Sequence, residues 1–333
     1  MNILKIYSEK DVAPFINKRA GETKFGEKIV FVKKLDDLKK YSSKYVLIGI
    51  PEDIGVRANY GNAGTSKAWE AALRSFLNIQ QNNFAEAANV ILLGEIDCDS
   101  QMEQAENLSS ENVHYAEKLG ELVSQIDHKV SITVKKIIES GNFPIIIGGG
   151  HNNSYGNLKG AFEALKKPVN CLNFDAHTDF RELGHRHSGN GFSYAFEEGF
   201  LNNYFTFGLH RNYTSQAVFD RLEKHQDRIR FSIFEDIAIN EKLSFSEGIQ
   251  EAEIFVCNDT FGLEIDLDAI EDMGSSAMTP GGFSINDARK FISYFSKKEH
   301  CVYFHICEGA PKLGNFPAQV GKTISFLISD AIA

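Results

Sequence analysis

The chain has 333 residues, 43% of them hydrophobic, and 35 Lys and Arg against 45 Asp and Glu give it a formal net charge of −10. It is long and apolar enough to bury the core of one large domain or two smaller ones, which excludes a chain disordered by composition. A protein that grips nucleic acid through its phosphates needs a basic stripe; here the cations are scattered among a larger number of carboxylates, so no nucleic-acid partner is expected.

The N-terminal stretch MNILKIYSEKDVAPFINKR carries charges every few residues and no apolar block of signal-peptide length. No later run approaches the ~20 apolar residues of a membrane helix, so a cytoplasmic protein without membrane contact is expected. Runs rich in β-branched and aromatic residues follow at 45–50, 89–93, 144–147, 169–174, 204–209, 228–234, 253–257, 263–267 and 301–306, and read as buried strands. Between many of them lie stretches with helical spacing, at 66–78, 113–140, 193–200, 285–297 and 320–332. That alternation predicts the α/β class, a mostly parallel sheet covered by helices. With no linker and no repeat, one domain over 1–333 is expected. The acidic, polar segment 94–112 reads as a solvated loop. Cys98, Cys171, Cys257, Cys301 and Cys307 form no CxxC pair and are expected to be reduced and structural.

In an open α/β sheet ligands bind beyond the carboxyl ends of the strands, so polar residues just after the strand-like runs carry the information. Gly148-Gly149-Gly150-His151 follows the run 143–147. On its own it is a tight strand-to-helix turn that ends in a histidine. The segment Asn173-Phe174-Asp175-Ala176-His177-Thr178-Asp179 sets Asp175, His177 and Asp179 at i, i+2 and i+4, on one face if the backbone stays extended. Charge gathered at a buried position costs several kcal/mol unless a cation or donors compensate it, and a metal is the natural compensation. Glu264-Ile265-Asp266-Leu267-Asp268 repeats the pattern; alone it fits an alternating surface strand equally well.

Together the segments offer His151, Asp175, His177, Asp179, Asp266 and Asp268, too many donors for one ion. Two divalent ions would use all six and activate a water between them. Hard oxygen donors with one imidazole per ion favour Mn2+ over a structural zinc. The reaction class implied is metal-assisted hydrolysis.

GGGH at 148–151, DAHTD at 175–179, the acidic strand at 264–268 and His305-Ile306-Cys307-Glu308-Gly309-Ala310-Pro311 occur in an order and spacing that resemble the arginase, agmatinase and formimidoylglutamase family, the ureohydrolases. The resemblance covers roughly 45–330. It implies a three-layer α/β/α fold and an assembly into homotrimers or homohexamers. It also implies two Mn2+ per subunit, one held by His151, Asp175, Asp179 and Asp266, the other by Asp175, His177, Asp266 and Asp268. Asp179 would assist proton movement at the nucleophile, and Glu308 would hold an amidine or guanidine group of a small-molecule substrate. Residues 49–64 resemble the formimidoylglutamase loop more than the arginase one, and Arg57 there either faces the site or pairs locally.

Three departures qualify the likeness. Gly150 stands where GGDH or GGNH is common, removing a side chain that would orient the histidine and weakening the expected metal affinity. Glu264 replaces a common serine, and Glu271-Asp272 a common Asp-Pro. In arginases a Ser-Gly-Asn segment contacts the amino-acid end of the substrate and a histidine two residues later moves protons. Here Ser188 and Asn190 are present, but that histidine is Phe192. His187 or His185, or a water, would take its place. Arg181, two residues beyond Asp179, could pair with a substrate carboxylate or turn outward to an acid such as Glu182. The expected activity is hydrolysis of formimidoylglutamate to glutamate and formamide; arginase, agmatinase or another guanidino-acid hydrolase, or a homologue that binds metal without catalysis, are the alternatives.

Overall fold

The computed structural model describes residues 2–41 and 44–333. Among the described residues nine strands form one sheet: β1 (Leu4–Ile6), β2 (Tyr45–Gly49), β3 (Val90–Ile96), β4 (Phe143–Ile147), β5 (Val169–Phe174), β6 (Leu201–Leu209), β7 (Ile229–Ile233), β8 (Phe261–Asp266) and β9 (Cys301–Cys307). Their order across the sheet is β1-β3-β2-β4-β9-β8-β5-β6-β7. Only β1 runs antiparallel, at an edge; the other pairings are parallel. The α/β reading holds, and the helices lie on both faces.

The faces follow from the pleat, which sends successive side chains to opposite sides. In β8, Phe261, Leu263 and Ile265 enter the core that holds the helices Ala68–Phe76, Ile285–Phe295 and Gln319–Ile332, as do Phe304 and Ile306 of β9. Glu264, Asp266 and His305 take the alternate positions. On that side the long helix Tyr115–Glu139 and the helix Asn153–Leu165 pack, with Leu119, Val123, Ile126, Val130 and Leu158 in the core. Each such side chain contributes about 1.5–3 kcal/mol on burial. The apolar half of each central strand thus anchors it, leaving the polar half to carry chemistry.

Two expectations need correction. Residues 253–257, read as a strand, end the helix Phe245–Val256, whose buried face Gly248, Ala252, Phe255 and Val256 keeps helical spacing. A reciprocal cap starts that helix: the Ser244 amide donates to Glu247 and the Glu247 amide to the Ser244 hydroxyl. Within 94–112, β3 extends to Ile96 and Asp99–Glu106 is a helix. Its contact with the long helix is polar: Lys129 and Gln125 hydrogen-bond the buried Gln101 amide. Apolar periodicity does not register such a seam. Among the described residues no helix is long and apolar enough to cross a membrane.

Candidate metal centre

The ends of four adjacent central strands, β4, β9, β8 and β5, deliver the predicted residues to one place. After β4 the chain turns through Gly148 (φ +92°) and Gly149 (φ +71°), a left-handed path that strains any side chain. The Gly148 amide donates to the Ile306 carbonyl, and the Glu308 amide to the Gly149 carbonyl. Glu52 ties this turn down. Fully buried, it accepts from the amide of Gly150 and the side chains of Asn152 and Asn153 on one oxygen, and from the Ile54 and Gly55 amides on the other. Sequence reading missed Glu52; an acid directly after a buried strand and before a glycine-rich loop was its only signal. Gly150 also has a reason: a Cβ there would lie 2.6 Å from Asn152 Oδ1 and 2.8 Å from Val56.

Beyond β5 and β8 the backbone does not stay extended, as the shared-face reading assumed. It folds back on its own aspartates instead. Asp175 Oδ1 accepts the His177 amide at 2.7 Å, and Asp266 Oδ1 accepts the Asp268 amide at 2.7 Å. Each aspartate turns its Oδ2 to within 3.2 Å of His151 Nδ1, that of Asp175 also accepting from Asn173 Nδ2 at 2.9 Å; Asp179 Oδ2 lies 2.7 Å from the same nitrogen. Donor atoms of His151, Asp175, Asp179 and Asp266 all fall within 4.8 Å of one another. His151 is fully buried and neither ring nitrogen makes a hydrogen bond, despite those short separations. Close, buried donors that do not bond one another are what a shared cation requires.

Electrostatics agree. Burial opposes charge on His151, yet Cys307 and the three aspartates around it raise its pKa well above the ordinary value. Burial, then the charges of Asp268 and Asp175, push the Asp266 carboxyl far up. Burial likewise opposes the ionised form of Asp175, but His151 and His177 hold it well below the usual carboxylate range. The cluster carries more negative charge than its imidazoles balance.

The second predicted donor set is more open. His177 Nδ1 stands 3.6 Å from Asp175 Oδ1 and 4.0 Å from Asp268 Oδ2, and Asp268 accepts from the Ala277 amide and the Ser276 hydroxyl. Glu308 bonds the His151 amide through Oε1 at 2.6 Å, while its buried Oε2 has no partner. Burial and the neighbouring Asp268 raise the Glu308 pKa to about 8. Asp179 (φ +44°) and Glu308 (φ +60°) both hold left-handed backbone that residues with a Cβ seldom adopt. Such strain concentrates at functional sites.

The sequence from 43 to 327 matches the model of the arginase family. The chain belongs to the arginase family. It is 27% identical over 300 residues to the formimidoylglutamase of Psychrobacter cryohalolentis, covering 83% of this chain and 79% of that one. It is 24% identical over 335 residues to that of Clostridium tetani, covering 90% and 86%. In fold it resembles a crystal structure of Trypanosoma cruzi formiminoglutamase with Mn2+, at a TM-score of 0.73 and 18% identity, covering 93% of this chain and 97% of that one.

In the loop at 185–192 the predicted substrate and proton-transfer residues are held by bonds within the protein. Asn190 is buried, its side-chain oxygen accepting from Arg186 at 2.5 Å and from the His187 amide and its nitrogen donating to the His185 carbonyl. Fully buried, it presents no surface to a substrate. Ser188 accepts from Asn59. His187 Nδ1 accepts the Gly189 amide at 3.0 Å; burial, helped by His185, Arg181 and Arg186, lowers its pKa to about 3. It is a poor proton carrier near neutrality. His185 bonds the Ala58 carbonyl. Arg186, unnoticed in the sequence, is the anchor of the loop: it pairs with Asp127 at 3.0 Å and donates to the Asn152 carbonyl, so the loop is tied to the residue after His151.

Phe192 is fully buried, edge-on to the His151 ring at 5.1 Å and stacked on Tyr204 at 4.4 Å. It braces the imidazole. Phe192→His would bury an imidazole nitrogen without a partner, at about 1–3 kcal/mol. Its expected result is a melting temperature lower by several degrees with no gain in rate, checked by calorimetry and a hydrolysis assay. Arg57 pairs locally, with the Ala105 carbonyl and the Tyr115 hydroxyl. Arg181, exposed, bonds Asn59 rather than Glu182 and lines a cavity of about 520 Å³ with His177, Asp179, Tyr213 and Arg221.

Proposed function

We propose that this arginase-family chain is a single-domain, manganese-dependent hydrolase of an amidine C–N bond, with formimidoylglutamate as substrate and glutamate and formamide as products. The observation that carries the reading is His151, buried and unbonded, gathered with Asp175, Asp179 and Asp266. We place two Mn2+ per subunit on the six donors His151, Asp175, His177, Asp179, Asp266 and Asp268, and place the protein in the cytoplasm as a homotrimer or homohexamer. Bound manganese supplies an activated water as nucleophile near neutral pH.

The chain's own residues do the rest. Glu308 Oε2, buried without a donor, takes the N–H of the cationic amidine, whose charge also offsets the repulsion from Asp268. Asp179 accepts a hydrogen bond from the attacking water and relays its proton. The water oxygen joins the amidine carbon, the bond from that carbon to the glutamate nitrogen breaks, and the proton ends on that nitrogen. Arg181 holds a substrate carboxylate at the cavity mouth. Charge develops among groups already fixed, so little reorganisation is needed.

The test is formamide release from formimidoylglutamate by Mn2+-loaded protein across pH. Burial alone would lower the His177 pKa, but Asp175, Asp268 and Asp179 raise it to about 9. A metal bound at His177 must therefore displace a proton at every pH below about 9, and each step down in pH favours the proton. Apparent Mn2+ affinity, and the rate at limiting Mn2+, should rise over roughly pH 7 to 9. A pH-independent rate, or no formamide, would overturn the proposal.

A further inference from the structure

We propose that Glu264 is a positioning residue for the metal centre: it accepts the Nε2–H of His151 and so fixes the ring whose other nitrogen faces the ion. This rests on the reading of His151 as a ligand. A neutral imidazole carries one proton, and if Nδ1 faces Asp175, Asp179 and Asp266 as the donor, the proton must sit on Nε2. That N–H points into a fully buried space where it has no hydrogen-bond partner, and Glu264 Oε2 lies 3.6 Å away. A shift of a few tenths of an ångström closes the bond.

The sheet places Glu264 there. Glu264 and Asp266 are two residues apart on β8 and so share a face, with Asp266 at the Nδ1 side of the ring and Glu264 at the Nε2 side. One strand thus holds both ends of the imidazole. The carboxylate is itself held firmly. In the β8–β9 register Glu264 sits opposite His305, whose Nδ1 bonds Oε2 and whose Nε2 lies 3.3 Å from the Gly148 carbonyl. Tyr303 donates its hydroxyl to Oε1 at 2.8 Å, and Asn157 adds a longer contact at 3.4 Å. The network joins β8, β9, the helix after His151 and the glycine turn before it. It supplies from beneath the ring the orientation that a side chain at position 150, sterically shut out, does not.

A carboxylate behind a ligating histidine fixes its tautomer and raises its basicity, and losing one costs about 10- to 100-fold in metal affinity. The experiment measures Mn2+ binding to metal-free wild type, His151→Ala, Glu264→Gln and Tyr303→Phe by the EPR signal of free Mn2+, with the melting temperature of each metal-free protein alongside. The expected result is at least tenfold weaker binding for Glu264→Gln, an intermediate loss for Tyr303→Phe, which keeps the ring and removes only the hydroxyl, and metal-free melting temperatures within about 2 °C of wild type. If Glu264 only fills the core, Glu264→Gln lowers the melting temperature and leaves Mn2+ affinity unchanged, which overturns the proposal. Should Glu264→Gln not fold, wild-type affinity in Tyr303→Phe overturns it equally. If His151→Ala binds Mn2+ as well as wild type, the ligand reading itself has failed and the proposal falls with it; if His151→Ala alone is weakened, only the role of Glu264 is wrong.

Discussion

Asp266→Asn is expected to abolish hydrolysis and Mn2+ retention while leaving the metal-free protein at least as stable as wild type. The asparagine keeps Oδ1, so the turn closed by the Asp268 amide survives. What changes is Oδ2, which becomes an amide donor facing His151 Nδ1. Removing one charged partner from a buried ionic cluster costs about 3–5 kcal/mol, or ~10²–10⁴ in metal affinity, and Asp266 belongs to both proposed donor sets. The stability sign is opposite. A carboxyl whose folded pKa is raised destabilises the fold once pH exceeds its unfolded value near 4. Burial with Asp268 and Asp175 nearby raises Asp266 strongly, so at pH 7 without metal its ionisation is a burden that asparagine lifts. Elemental analysis and calorimetry decide the matter: about two ions per chain in the variant would refute the assignment, and a collapsed melting temperature would mean that Asp266 acts through the fold. Cys98→Ser, in an apolar cluster away from the site, should change neither hydrolysis nor metal content.

Arg181→Ala should cost formimidoylglutamate turnover heavily and arginine turnover little. Formimidoylglutamate carries two carboxylates and no free amine, whereas arginine presents a carboxylate together with an ammonium that a guanidinium repels. The Arg181 main chain is fixed, its carbonyl accepting from Ser193 and Arg221, while the side chain reaches the cavity beside His177 and Asp179. Hydrogen bonds to a charged group contribute about 1.5–3 kcal/mol, which corresponds to a ~10- to 150-fold fall in kcat/KM. Steady-state kinetics on both substrates checks it. If arginine had the higher kcat/KM, or the variant kept full activity on formimidoylglutamate, the substrate assignment would be wrong and the hydrolase class would stand.

Much of this site could be read directly from the chain because strand ends and ligand spacing are local properties. Gly148 to His151, Asp175 to Asp179 and Asp266 to Asp268 each sit within a few residues, and the apolar runs before them mark buried strands. What stayed hidden depends on distant partners. Glu52 and Arg186 look like ordinary loop charges until the fold brings Gly150, Asn153 and Asp127 to them. Asn190 looked like a substrate contact through the likeness to arginases; only the fold shows it fully buried and bonded to Arg186 and the His187 amide. The misread run 253–257 fails for the reverse reason, since Ile254, Phe255 and Val256 in a row carry no phase, and the helical spacing appears only when Gly248 and Ala252 are counted.

The strand order has a consequence for how the protein comes into being. β1 to β4 form one contiguous half of the sheet and β5 to β8 the other, and β9 is the strand that joins them. Until residues 301–307 leave the ribosome, His151 belongs to one half and every aspartate of the cluster to the other. Neither half alone holds a complete set of donors. Inserting β9 between β4 and β8 is a long-range step, of the kind that proceeds slowly, and the same step seats Glu308 against the His151 amide. On the proposed assignment the donor set is completed only when β9 enters the sheet, so a chain cut short before residue 301 is expected not to retain Mn2+.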